Sequence, residues 1–207
     1  MPVNTHLAII AAFVVLTTAA RAEIGWNNGA IAHRKLPPPE ISRSFVRLDV
    51  PHMRQGRDLC VPTSAAMILR YFGEKHDPRA LKALAENHKP IAQRNSFTYW
   101  RDMDHALRQI GHRWKIRDFA RTDAGFNQGL NALRKHLRQG LPAMIDVHQD
   151  EGHTFVVMGF DDTRQVVFVR DPNLPKSRSR ILSYAQLKDS WHNHRFGPHR
   201  SAFFAYK

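Results

Sequence analysis

Apolar positions along this chain change their spacing near its middle. In the first half they recur at helical intervals, with Ala65, Ile68, Leu69 and Phe72 on one face, as a helix half-sunk in a core requires. That helix is predicted over 62–72 and stopped by Gly73, and a second over 78–88 is opened by Asp77-Pro78. A third spans 98–110 with Gly111 as its stop, and a fourth spans 123–139 with Gly140 behind it. Between these two lies a strand, HRWKIRDF. In the second half PAMIDVH, HTFVVMGF, QVVFVRD, SRILSY and SAFFAYK are short runs rich in Val, Ile and Phe, separated by turn residues such as Asp161-Asp162-Thr163. These read as strands. Ser183-Tyr184-Ala185-Gln186 has the form of a capping box before Leu187 and Trp191, which adds one short helix. Helices followed by antiparallel strands make an α+β layout.

The two ends of the chain read differently. An apolar run from Leu7 to Ala20 ends in Ala20-Arg21-Ala22, an A-x-A pattern, so residues 1–22 are expected to be a secretory signal cleaved after Ala22. The run is shorter than the ~20 apolar residues a membrane-spanning helix needs. Its leading residues carry no Lys or Arg, which leaves a retained N-terminal anchor as the alternative. Residues 23–44, with Asn27-Asn28-Gly29 and Pro37-Pro38-Pro39, are expected to form an extended linker or arm, because prolines fix φ and withhold backbone donors. At 207 residues and 43% hydrophobic content the chain has material for one sizeable core. The folded unit is expected over 45–207. No later run is long enough to span a bilayer, so the mature chain is expected to be secreted or periplasmic, with its oligomeric state open.

Charge adds a partner class. The net charge is +13, and removing residues 1–22 takes away only Arg21, leaving +12. Such a chain attracts anionic company, an envelope polymer among the candidates. The clusters Arg134-Lys135-His136-Leu137-Arg138 and Lys176-Ser177-Arg178-Ser179-Arg180 are expected to be solvated faces. No nucleic-acid-binding motif accompanies them, which argues against a nucleic-acid partner. His148 with His153, or His192, His194 and His199, lack the HExxH or paired-cysteine spacings of zinc sites, so no metal and no cofactor are expected.

The chemistry centres on QGRDLCVPTSAAMILRYFG, which holds the only cysteine. Cys60 sits at or just before a helix start, where free N–H groups and the helix dipole lower a thiol pKa. A small buried hydrophobe is the competing role for a free cysteine. Thiol catalysis needs a base and a group that orients the base. His153 and Asp171 are the candidates: a hairpin centred on Asp162 sets them opposite each other on one face. A slip of one residue would separate them. Asp146 and Glu151 also lie near enough in sequence to orient His153. Gln55, five residues before the thiol, is a candidate oxyanion donor beside the Cys60 backbone N–H.

Gln55, Cys60 at a helix start, the segment GHTFVVMGFDD and the V-R-D-P-N turn together resemble the papain-like cysteine peptidases of the bacteriocin-leader-processing, double-glycine type, including their stand-alone secreted relatives. The likeness runs from about Val50 to the end, where ILSYAQLKDSW and SAFFAYK resemble the family's last helix and strand. It implies a papain-like fold with a helical half packed on an antiparallel sheet, and hydrolysis of a peptide or protein substrate through a thioester acyl-enzyme. It also implies Cys60 as nucleophile, His153 as base, Asp171 as its orienting partner and Gln55 as oxyanion donor. Val61 stands where the family usually has Gly. Amide transfer through the same acyl-enzyme differs only in the acceptor. The competing class is an inactive papain-like module that binds a peptide or an anionic envelope polymer.

Overall fold

The computed structural model describes residues 40–149, 152–175, 179–192 and 198–207. The expected signal at 1–22, most of the arm, Glu151, Lys176 to Arg178 and His194 lie outside them. The described residues fall in one compact unit, 36–207. Its order is β1 (Glu40–Ile41), β2 (Phe45–Arg47), α1 (Cys60–Tyr71), α2 (Pro78–Glu86), α3 (Trp100–Gln109), β3 (Lys115–Ala120), α4 (Asp123–Arg138), β4 (Ala143–Val147), β5 (His153–Asp161), β6 (Val166–Arg170), β7 (Arg180–Ser183), α5 (Tyr184–Ser190) and β8 (His199–Phe204). Every expected helix and strand is present, within a few residues of its expected ends.

Helix ends follow the local chemistry. Asp77 accepts from the N–H groups of Arg79 and Ala80, Thr122 accepts from Gly125, and Ser183 with Gln186 closes a full capping box. Helix α1 is apolar nearly all round: every residue from Val61 to Leu69 is buried. Such a helix belongs inside a fold. It packs between α2, α3 and the face of an eight-stranded antiparallel sheet ordered β1-β2-β5-β4-β8-β3, with β6 and β7 extending from the other edge of β5. The core includes Met67, Ile68, Met103, Leu107, Phe155 and Phe203, each wholly or almost wholly buried. No described helix is long and apolar enough to cross a membrane.

Two features escaped the sequence pattern. Phe45–Arg47 and Glu40–Ile41 are strands too short to show a period, yet β2 pairs with the far half of β5 and β1 pairs with β2. The second is the register of the β5–β6 hairpin. Near the turn Asp161 pairs with Val166 and Gly159 with Phe168, but beyond it Val157 pairs with Val169 and Val156 with Arg170. A β-bulge between Val157 and Gly159 accounts for the change. The expected register, with His153 directly across from Asp171, is therefore wrong. Continuing the outer register sets Phe155 across from Asp171, and His153, two residues from Phe155, shares its face. The near-turn register would have put His153 and Asp171 on opposite faces. The bulge restores the shared face.

Candidate active site

Helix α1 brings Cys60 to its first position, partly exposed. Asp58, two residues earlier, adopts φ 59°, a left-handed conformation that aspartate tolerates better than most residues and that turns the chain into the helix. Gly152, at φ 107°, makes the matching sharp entry into β5 just before His153. Gln55 is tied to the Asp171 turn because its N–H donates to the Pro172 carbonyl at 2.9 Å. The Arg170 Nε–H holds Val50 O at 2.8 Å in the same way, stapling the 50–55 segment to the end of β6.

Cys60, His153 and Gln55 line one cavity of about 860 Å³. The diagonal placement created by the bulge is close enough to bond: His153 Nε2 lies 2.8 Å from Asp171 Oδ1, with the carboxylate 1% and the imidazole 5% exposed. Two further contacts fix that carboxylate, and a third steadies one of its partners. The Asn173 N–H donates to Oδ1 at 2.9 Å, Arg180 Nη1 reaches Oδ2 at 3.1 Å, and the Arg180 guanidinium also stacks over Phe155. Burial alone would raise the Asp171 pKa, but the bonds from His153 and Asn173 and the nearby charges hold it below the ordinary carboxylate value. An ionised Asp171 makes Nε2 the protonated nitrogen and leaves Nδ1 with a lone pair, the tautomer a base needs.

The thiol departs from expectation. Backbone N–H groups of Val61 and Thr154 favour its anion, as a helix start should, and the second of these sets the sulfur beside the residue that follows His153. Burial outweighs them, and with the negative charge of Asp146 it pushes the Cys60 thiol up to about 11. The helix terminus alone therefore does not supply a thiolate. Val61 is a buried helical residue that lines the cavity beside Cys60.

Asp146 does not orient His153. It lies across from Thr154 on β4 and accepts the Thr154 hydroxyl at 3.2 Å, while Asp171 takes the imidazole. Arg180, counted in the sequence as one of a run of surface cations, instead braces Asp171; only the pairing of Val169 with Arg180 across β6 and β7 puts it there. The other basic cluster is also partly internal. Arg134 and Arg138 converge on Asp162, and His136 is buried, with its pKa lowered to about 4 by desolvation. Among the described residues no group of three or more His, Cys, Asp or Glu side chains is arranged to hold a metal. His148 stacks on His192, ring centroids 5.0 Å apart.

The fold has solved counterparts. The peptidase domain of Streptococcus ComA, a bifunctional ABC transporter involved in quorum sensing, superposes with a TM-score of 0.51 at 18% identity, covering 75% of this chain and 97% of that one. A double-glycine-motif protease from an AMS/PCAT transporter, in complex with a leader peptide, gives 0.54 at 17% identity, covering 82% and 98%. No curated protein matches the chain by sequence. A family model described as the Peptidase_C39 like family matches residues 47–198, nearly all of the folded unit, and this chain belongs to that family of papain-like cysteine peptidases.

Proposed function

We propose that this chain is an exported cysteine peptidase that hydrolyses peptide bonds through Cys60, His153 and Asp171. The observation that carries the reading is the buried His153–Asp171 pair, at 2.8 Å, bordering the cavity that Cys60 lines. His153 Nδ1 takes the Cys60 proton as sulfur attacks the carbonyl carbon, which suits a thiol too weakly acidic to ionise unaided. The Cys60 N–H and the Gln55 carboxamide hold the resulting oxyanion. The imidazolium, steadied by Asp171, gives its proton to the departing amine, and a thioester forms. Water then attacks the thioester with His153 again as base, releasing the acid and restoring the thiol.

A peptide substrate is supported by the leader peptide bound to the related transporter protease. Export rests on the apolar run and A-x-A pattern at residues 7–22. The test is cleavage of a peptide library by the wild-type chain beside Cys60→Ala. Cleavage that disappears in the variant while its melting temperature holds supports the peptidase; equal product patterns from both proteins overturn it.

A further inference from the structure

The cavity extends well past the thiol, across the face of the sheet. Asp118 of β3 pairs with Ser201 of β8, Ile145 of β4 pairs with Ala202 of β8, and Asp146 pairs with Thr154 of β5. One further rung of the β4–β8 register brings Asp146 beside Ser201. Asp118, Ser201, Asp146 and Thr154 thus form a row over four adjacent strands, and all four line the cavity.

The row presents acceptors. The Ser201 hydroxyl donates to Asp118 at 2.6 Å and the Thr154 hydroxyl donates to Asp146 at 3.2 Å, so both protons are spent within the row. Among the described residues neither carboxylate has an ion-pair partner, in a chain of net charge +13, whereas nearby Asp102 is taken by Lys89. Arg101 also lines the cavity, from the facing wall, yet lies within ion-pair distance of neither. On that wall Thr98, 4% exposed, keeps a buried hydroxyl oxygen with no described partner. Burial, with the Asp118 charge adding to it, raises Asp146 to about 7, the mark of a carboxylate lacking a counter-charge.

We infer that Asp118 and Asp146 form a subsite for a cationic substrate side chain, lysine or arginine, a few residues from the scissile bond; the word substrate rests on the peptidase reading above. Adjacent strands lie about 4.8 Å apart, so the row starts about 5 Å from Thr154 and ends about 14 Å away, a span of roughly two to four residues of extended peptide. An ammonium or guanidinium carries only donors and a positive charge, which is what the row lacks.

The experiment measures binding without turnover. Cys60→Ala in the full chain is titrated, by fluorescence anisotropy, with labelled heptapeptides carrying Lys, Arg, norleucine or Glu at each position in turn. A charge-assisted contact of this kind predicts Lys or Arg binding about 10- to 100-fold tighter than norleucine at one position. The preference shrinks to within about threefold when Asp118→Asn and Asp146→Asn are added. Asp118→Asn alone, on an exposed strand, shows a partial loss without threat to folding. Equal binding of Lys and norleucine peptides at every position, no binding by any peptide, or a preference that survives both substitutions overturns the subsite. The same peptides given to the wild-type chain separate the two readings. Cleavage without cationic preference sinks the subsite alone, and cationic binding without cleavage sinks the peptidase alone.

Discussion

Replacing Gly159 by alanine tests the link between the bulge and the site. A Cβ at this position would lie 2.2 Å from the Val46 carbonyl oxygen, 3.0 Å from Arg47 Cα and 3.1 Å from Phe168 Cδ2. The first two obstacles are backbone of β2, which pairs with β5 through Arg47 and Gly159. A methyl group therefore has to push strand from strand by about 1 Å or undo the bulge. Overpacking of this kind costs about 1–3 kcal/mol. In a domain of this size each kcal/mol lowers the melting temperature by about 2–4 °C, so Gly159→Ala is expected to melt about 2–12 °C below wild type. A second consequence separates this site from an ordinary core position. Loss of the bulge moves His153 and Asp171 to opposite faces, so peptide cleavage measured well below the melting transition falls by more than the folded fraction does. Thermal unfolding by circular dichroism, paired with cleavage at 20 °C, reads both. A variant that melts within one degree of wild type and cleaves at the wild-type rate refutes the reasoning.

Three further expectations follow from the same geometry. Asp171→Asn keeps the shape but removes the charge facing His153, and is expected to lower kcat/KM about 10- to 100-fold; a loss under twofold in steady-state cleavage contradicts the pairing. Arg180→Gln is expected to cost at most about fivefold in the same assay, because the Arg180 side chain is 39% exposed and such contacts are worth up to about 1 kcal/mol. Asp146 has a folded pKa, about 7, above its unfolded value, so its ionisation opposes folding progressively as pH rises from about 4 through 7, by at most about 4 kcal/mol. Asp146→Asn is thus expected to raise the melting temperature at pH 8 and not at pH 4.5; an equal effect at both pH values contradicts the burial argument.

The α+β layout was legible because α1, α4 and the long strands carry strong periods and end at Gly73, Gly140 or turn residues. Cys60, His153 and Asp171 stood out by residue type and by their place at element ends. The meeting of His153 with Asp171 was not readable in detail. A bulge between Val157 and Gly159 has no sequence mark beyond one glycine, and the hairpin register depends on it. Arg180 looked like one of many surface cations because its partner is set by β6–β7 pairing. The thiol pKa followed burial and Asp146, two properties of packing, over the local helix start that the sequence displays.

The most direct test of the central claim is the rate of Cys60 alkylation by iodoacetamide as a function of pH, in wild type and in His153→Ala. If His153 draws the proton from Cys60, wild type reacts at least about tenfold faster than the variant at pH 6–7, because the base takes the thiol proton as sulfur attacks, whereas the variant's rate climbs only toward the raised thiol value near 11. Superimposable profiles for the two proteins contradict the account.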